Sequence, residues 1–429
     1  MDNNKTRIWF LNQNSYMPED GPHTRHYTLG KYLARNNYEP YVFAGNELHH
    51  VGRRIDTNGA DYLEKESEGV RFYYVKTTHY EKNNYRRILN ILSYYKRIFK
   101  VAKSVADKYG KPDVIYASSM YPTAIFAGLK LAKKYNVKCI CEHRDIVPDG
   151  FVTKGTFKAN GLMAKIARKV MKGTYEKADA LVFTMEGGKQ YLVEQQFDTE
   201  HGGKVDMSKV YCVNNGVDLE VFKANQEKFV LKDADLDNPD QFNVVYFGAI
   251  RFMNQMPLFI DTARELKRRN INNIKILMWG AGTKLDEMQK KLDEEKLDNI
   301  VLKGYIDKKY IPGIAKRADL FIGTGNSSSV GKYGMSFNKL FDYLAGGKPI
   351  ILPFKAAYSI VQSMGSGVEL KNPTGKQMAD AIYSFSSMSN DEYDRYCRNA
   401  KNAALKYDYC FLSDKVNSIV KECLEDRNC

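Results

Sequence analysis

The stretch Gly334-Met-Ser-Phe-Asn-Lys-Leu-Phe-Asp-Tyr-Leu-Ala-Gly-Gly-Lys-Pro-Ile-Ile-Leu352 decides how this chain is read. Ser336 stands where it can cap a short helix, and Leu340 and Leu344, four residues apart, give that helix an apolar face for a core. Gly346-Gly347 stops the helix, and Pro349-Ile-Ile-Leu352 reads as the next buried strand. Lys339 and Asp342, three apart, are expected to share one exposed side. A helix N-terminus carrying a lysine suits a diphosphate, and a carboxylate one turn further in suits ribose hydroxyls. The outline is that of a nucleotide-diphosphate site.

Working outward, strand-like runs at 243–247, 275–279, 299–302, 320–323, 349–352 and 368–370 alternate with helical ones at 257–268, 283–294, 311–315, 336–345, 374–386 and 391–407. The first half repeats the pattern, with strands at 7–11, 40–43, 72–75, 113–117, 138–141, 180–183 and 210–213 and helices including 24–35, 122–135 and 187–195. Such alternation predicts parallel sheets flanked by helices. A length of 429 residues exceeds one ordinary core. The expected fold is therefore α/β, two tandem Rossmann-like doubly wound domains facing a cleft. The first spans 1–222, a polar linker spans 223–241, the second spans 242–409, and a last helix at 410–429 follows.

Composition narrows the partners. Sixty-five Lys and Arg against 51 Asp and Glu leave a net charge of +14, which calls for an anionic partner. No recognition-helix, RNP or zinc-finger pattern appears, which argues against nucleic acid. Two stretches, 80–111 and 158–172, interleave Lys and Arg with Tyr, Ile, Leu and Met at helical spacing, like helices that rest on anionic lipid. No apolar run approaches the roughly 18 residues that would span a bilayer. The N-terminus runs straight into Ile8-Trp-Phe-Leu11 with no signal peptide, so the cytosol is expected, with peripheral placement on the inner membrane face. Seven scattered cysteines form no Cys-x-x-Cys or Cys/His cluster, which supports neither zinc nor a disulfide framework.

Ligands of open parallel sheets sit beyond the carboxyl ends of strands. The first such loop carries Gly21-Pro-His-Thr-Arg-His26, without a Gly-x-Gly-x-x-Gly dinucleotide pattern. Gly21 supplies a turn, Thr24 is a candidate cap, and Arg25 and His26 are expected within reach of an anion. Next, Glu142-His-Arg-Asp145 follows an apolar strand, so Glu142, His143, Arg144 and Asp145 are expected to emerge together in an acid/base or hydroxyl-binding role. In the second half, Gly248 admits close backbone approach to a ligand, and Arg251 is placed to neutralise a diphosphate with its fork. Gly280, Gly282 and Tyr305 continue the ring of strand-end loops around Ser336, Asn338, Lys339 and Asp342.

These motifs, with Val213-Asn-Asn-Gly-Val-Asp218, resemble those of the family 4 retaining glycosyltransferases of the GT-B fold. They look closest to the bacterial branch that builds capsule, O-antigen or exopolysaccharide units. The resemblance implies a nucleoside-diphosphate sugar donor on the second domain and a saccharide acceptor on the first, of the polyprenyl-diphosphate-linked kind. It implies that Asp342 contacts the ribose, that Arg251 and Lys339 face the diphosphate, and that Asp145, Glu142 and Arg144 organise acceptor or donor sugar. It implies no cofactor and no metal, the diphosphate being neutralised by positive side chains and a helix N-terminus. The last helix is expected to return to the first domain. Two positions depart from the pattern: Gly334 stands where the family often has a Glu, and Val147 where this branch often has Trp. Donor-sugar recognition is therefore unassigned. A nucleotide-sugar epimerase of the same fold and a non-catalytic membrane-associated binding protein remain as alternatives.

Overall fold

The protein is described by a computed structural model covering residues 5–49, 51–81, 84–118, 121–153, 155–250, 256–325 and 329–425. The chain divides into two compact units, Met1–Asn214 with Tyr409–Cys429, and Asn215–Asp408.

The first unit is built on an eight-stranded sheet. Its members are β1 (Thr6–Leu11), β2 (Tyr38–Gly45), β5 (Tyr62–Ser67), β6 (Val70–Val75), β7 (Val114–Ser118), β8 (Lys138–His143), β9 (Ala180–Phe183) and β10 (Val210–Cys212). A small hairpin, β3 (Glu47–Leu48) and β4 (Arg53–Arg54), stands apart from it. The order is β10-β9-β8-β7-β1-β2-β6-β5, parallel except for β5, which pairs antiparallel with β6 at the edge. The polar alternation of Tyr62-Leu-Glu-Lys-Glu-Ser67 hid this strand, because a half-exposed edge carries no apolar run. One face carries α1 (Arg25–Ala34), against which α15 (Tyr409–Glu425) packs. Leu412, Val416, Ile419 and Val420 of α15 are buried in one core with Leu29 and Leu33 of α1. The Tyr38 hydroxyl donates to Asn417 of the same helix at 2.7 Å. The other face carries α3 (Pro122–Tyr135), packed against α2 (Tyr85–Tyr109) and α5 (Leu162–Tyr175), and α6 (Gly188–Glu194), whose Gly188 packs on Phe183; the short α4 (Asp149–Thr153) precedes α5.

The second unit begins with α7 (Leu219–Lys228) and holds a six-stranded, wholly parallel sheet. Its strands are β11 (Phe242–Phe247), β12 (Ile274–Trp279), β13 (Ile300–Gly304), β14 (Leu320–Ile322), β15 (Ile350–Leu352) and β16 (Gly367–Glu369), in the order β13-β12-β11-β14-β15-β16. Around it stand α8 (Met256–Arg268), α9 (Leu285–Glu294), α10 (Ile311–Arg317), α11 (Asn338–Gly346), α12 (Ile360–Ser363), α13 (Gly375–Ser386) and α14 (Asn390–Lys406). The chain order reverses between β11 and β14, the position where an open sheet leaves a crevice at its carboxyl edge.

The linker expected at 223–241 is not one. Its start lies inside α7, where Leu219 and Phe222 are buried. Its acidic run is pinned down: Asp233 and Asp235 take Lys303 at 2.7 and 2.6 Å, Asp235 also takes Lys275, and Asp237 takes Arg317. Paired charges mimic a solvated linker in sequence, because the lysines that neutralise them lie 40 to 70 residues away.

Candidate active site

In the second unit the site is organised by α11. Gly347, in the left-handed region at φ 66°, ends this helix as its composition predicts. The start differs from expectation. Phe337 occupies the cap position, and Ser336 makes no capping bond. Ser336 instead holds Asn215: its hydroxyl accepts from the Asn215 backbone N–H at 2.9 Å, and its carbonyl accepts from Asn215 Nδ2 at 2.6 Å. The polar group that looked like a cap thus ties the entry of α11 to the first residue of the unit.

Lys339, on the first turn of α11, is half-buried, and its ammonium lies 3.2 Å from both the Tyr246 hydroxyl and Thr324 Oγ1. Tyr246 belongs to β11 and Thr324 follows β14, so the ammonium sits at the point where the strand order reverses. Among the described residues no carboxylate pairs with Lys339, and burial pulls its ammonium down to about 8. A Cβ on Gly248 would come within 2.7 Å of that nitrogen, so only glycine leaves the space beside it free. Tyr246 and Thr324 carry no motif and escaped the sequence reading; their signal is only their place at strand ends.

Asp342 does not share an exposed side with Lys339. Its side chain is buried, and burial pushes its carboxyl up while Lys308, 3.8 Å away and half in solvent, opposes the shift. Asn338 is exposed, and Tyr305 is exposed with its hydroxyl 3.1 Å from Asp307. Gly280 and Gly282 serve a different contact from the one expected. A Cβ there would lie 1.8 Å from the Gly248 carbonyl oxygen and 1.9 Å from that of Ile250. The two strand-end loops run side by side, bonded Gly248 N–H to Trp279 and Ile250 N–H to Ala281. These glycines therefore let one loop approach the other rather than a ligand. Arg251, expected at the diphosphate, lies outside the described residues.

The first unit holds a buried polar cluster where the expected acid/base group was to emerge. Glu142 is still within β8 and fully buried. Its carboxylate accepts from Arg25 Nε at 2.9 Å and Nη2 at 2.6 Å, from Tyr116 at 2.8 Å and from Ser118 at 2.5 Å. His26 Nε2 lies 3.1 Å from its other oxygen, and Asn12 Nδ2 is 3.1 Å from His26 Nδ1. A neutral imidazole donating from Nε2 satisfies both contacts. Burial would push the Glu142 carboxyl up, but Arg25 and His26 outweigh it and hold it well below the ordinary range. Burial lowers His26, and the Glu142 hydrogen bond offsets only part of this. Arg25 completes the cluster by donating to the Val213 and Asn214 carbonyls at 2.8 and 2.6 Å. Neither Arg25 nor His26 is left to meet an anion, and Glu142 has no lone pair to spare for a proton relay.

His143 is likewise unsuited to acid/base work. It is buried against Tyr175, ring centres 4.6 Å apart, and burial takes its imidazole down to about 3. Thr24 makes no capping bond to α1. Gly21, at φ 159°, packs where a Cβ would meet the Tyr16 ring at 2.8 Å. Of the predicted quartet only Asp145 is exposed, with Arg144 half-buried beside it. The turn that presents Asp145 ends in a cis peptide between Val147 and Pro148.

Two family models cover most of the chain: Glycosyltransferase Family 4 matches residues 20–221, and Glycosyl transferases group 1 matches residues 227–403. This is a GT-B glycosyltransferase. Solved structures agree on the fold of the glycosyltransferase. Sucrose-phosphate synthase from Thermosynechococcus elongatus matches with a TM-score of 0.69 at 15% identity, over 98% of this chain and all of that one. A glycosyltransferase from Rickettsia africae matches at 0.63 and 16% identity, over 98% of both chains. HepE of Anabaena, solved in complex with UDP-glucose, matches at 0.62 and 13% identity, over 97% of this chain and 99% of that one. No curated protein matches the glycosyltransferase by sequence.

Proposed function

We propose that the protein transfers a sugar from a nucleoside-diphosphate donor, held by the second unit, to a hydroxyl of a lipid-linked saccharide held by the first, with the anomeric configuration retained. The pathway is cell-surface polysaccharide synthesis, at the cytoplasmic face of the membrane. The single observation that carries the donor half is the Lys339 ammonium: half-buried at the strand-order reversal, held by two neutral hydroxyls, and without a counter-charge among the described residues. A cation kept in that state favours an incoming anion, and a diphosphate at the N-terminus of α11 meets both the charge and the helix N–H groups. The UDP-glucose bound by HepE, a protein of the same fold, supports the donor class.

Asp342, one turn further along α11, is buried with no hydrogen-bond donor of its own among the described residues, which suits the ribose hydroxyls of the same ligand. As the donor bond breaks, Lys339 stabilises the charge growing on the leaving diphosphate, an interaction stronger in the transition state than in the ground state. Arg251 joins it in this role. No metal is needed in this scheme. Asp145, the exposed acid at a strand end of the first unit, orients the attacking hydroxyl with Arg144. In this scheme the hydroxyl attacks from the leaving-group side, the bond to the diphosphate breaks as the new glycosidic bond forms, and the departing phosphate takes the hydroxyl proton.

A thermal-shift screen against nucleotides and nucleotide sugars tests the donor half, because a ligand that binds only the folded state raises its melting temperature. Incubation of the preferred nucleotide sugar without acceptor tests the epimerase alternative: release of an epimer in place of transfer to an added saccharide would sink the transferase reading.

A further inference from the structure

Eight of the large apolar side chains left in solvent lie on two helices of the first unit. On α2 they are Tyr85, Ile88, Leu89 and Leu92, all in its first eight residues. On α5 they are Leu162, Met163, Ile166 and Val170, a stripe at the i, i+4, i+8 spacing with Met163 beside it. Leu162 is 73% and Ile88 60% exposed, far more than a packed helix leaves to water. Both helices do bury another face, through Tyr94, Ile98 and Val101 on α2 and Ala164 and Met171 on α5, so the outward stripes are additional to the core.

Topology brings the two stripes to one end. Helix α2 leaves the carboxyl end of β6 and α5 follows the carboxyl end of β8, each running back to the amino end of the next parallel strand. Helix α3 packs against both, on one face of the sheet. The first turns of α2 and α5 therefore lie at the carboxyl end of the strands, the end that also presents Asp145. Arg87 of α2 is hydrogen-bonded to the hydroxyl of Tyr121, the residue just before α3, and this ties the start of α2 to that of α3.

Charge selects the occupant. From Tyr85 to Ala106 α2 has no acidic residue, and neither has α5. Lys96 on α2, with Lys165 and Lys169 on α5, are exposed and make no ion pair among the described residues. Exposed apolar side chains flanked by ammonium groups that make no ion pair among the described residues match an anionic bilayer interface. There, long lysine stems let the charge reach the phosphates while the apolar groups enter the acyl region.

We propose that the first turns of α2 and α5 insert Tyr85, Ile88, Leu89, Leu92, Leu162 and Ile166 into the interface of an anionic phospholipid bilayer, with Lys96, Lys165 and Lys169 against its headgroups. This rests on the proposed lipid-linked acceptor for its purpose, since it sets the strand ends that carry Asp145 at the depth where a membrane-borne diphosphate emerges.

The test is flotation of the full chain with phosphatidylcholine vesicles, with and without phosphatidylglycerol. The wild-type chain should float only with the anionic vesicles and be released by salt. The variant Ile88→Ser/Leu89→Ser/Leu162→Ser/Ile166→Ser should lose binding by about tenfold or more while keeping its melting temperature and its response to nucleotide sugars. Equal flotation of wild type and variant, no flotation of the wild type on anionic vesicles, or a wild-type dimer that the variant abolishes would each overturn the proposal. The function proposed above fails by a separate sign: flotation intact, but no nucleotide sugar that stabilises the chain.

Discussion

The Lys339 ammonium lies 3.2 Å from the Tyr246 hydroxyl and 4.6 Å from the centre of that ring. A tyrosine face and two hydroxyls solvate a cation partly, without cancelling its charge. Removing an anion from the site leaves the lysine in an environment that favours its neutral form, which is why burial brings it down to about 8. Ligand charge and lysine charge are thus linked.

Lys339→Met should fold and lose transfer by about a hundredfold or more, the usual effect of removing one donor to a developing anion. The linkage gives a sign for pH. In the free protein Lys339 titrates at about 8 against 10.5 in the unfolded chain, so the unfolded state holds more protons between those values and stability rises with pH across that window. Nucleotide affinity should run the other way, weakening as pH rises above about 8 in the wild type. Calorimetric titration of nucleotide from pH 7 to 10 checks it, and an affinity in Lys339→Met equal to wild type would remove the lysine from the site.

Asp342→Asn keeps the shape and removes the charge of a buried carboxylate whose ion-pair partner among the described residues is Lys308, 3.8 Å away. If Asp342 accepts from ribose hydroxyls, the variant should bind nucleoside diphosphate roughly tenfold to a hundredfold more weakly, the range for a hydrogen bond to a charged group. Affinity for inorganic diphosphate should be unchanged. Equal losses for both ligands would place Asp342 at the phosphates instead.

Gly282→Ala puts a methyl group 1.9 Å from the Ile250 carbonyl oxygen, so the loop after β11 must move. Overpacking of this kind costs about 1–3 kcal/mol. A lower melting temperature together with weaker nucleotide binding is expected, because that loop also carries Gly248 beside Lys339. A variant with native melting temperature and affinity would show the loops to be free of each other.

What the sequence disclosed was local. Gly347, the apolar pair Leu340 and Leu344, and the alternation of strands with helices are signals within a few residues, and the structure follows them. What it hid were partners. Glu142 meets Arg25 across 117 positions and Lys339 meets Tyr246 across 93. Periodicity tells which face a residue occupies, not which charge waits opposite it. Glu142-His-Arg-Asp145 therefore looked like one exposed group, whereas two of its members still belong to a buried strand. Ser336 looked like a cap because the capping preference is local, and the competing donor, Asn215, is 121 residues away.

Glu142→Gln leaves the Arg25 guanidinium buried beside a neutral amide. Breaking a buried pair from one side typically costs about 3–5 kcal/mol, so a clear fall in melting temperature is expected. If Glu142 only braces the unit, the fraction that remains folded should keep its donor affinity. Loss of turnover with unchanged stability would instead return Glu142 to the chemistry.

Acid should weaken the first unit through three groups acting in the same direction. His143 titrates at about 3 when folded against 6.5 unfolded, His26 is also lowered, and Glu142 is held well below the ordinary carboxylate range. In each case the unfolded chain binds protons that the folded chain refuses, so stability rises with pH through the window between the two values and is lost as pH falls. For the histidines that loss begins near pH 6.5; for Glu142 it begins only near the ordinary carboxylate value of 4.5. His143→Phe removes one of the three while keeping an aromatic ring against Tyr175 and Phe183. Melting temperatures followed from pH 7 to 4 should therefore fall less steeply in His143→Phe than in the wild type, with the difference opening between pH 6.5 and 5. Turnover of the variant should stay within a few-fold of wild type at pH 7, where His143 is already neutral. A parallel pair of melting curves would mean that the imidazole is solvated in the native state, and a large loss of turnover would give it a part in the reaction.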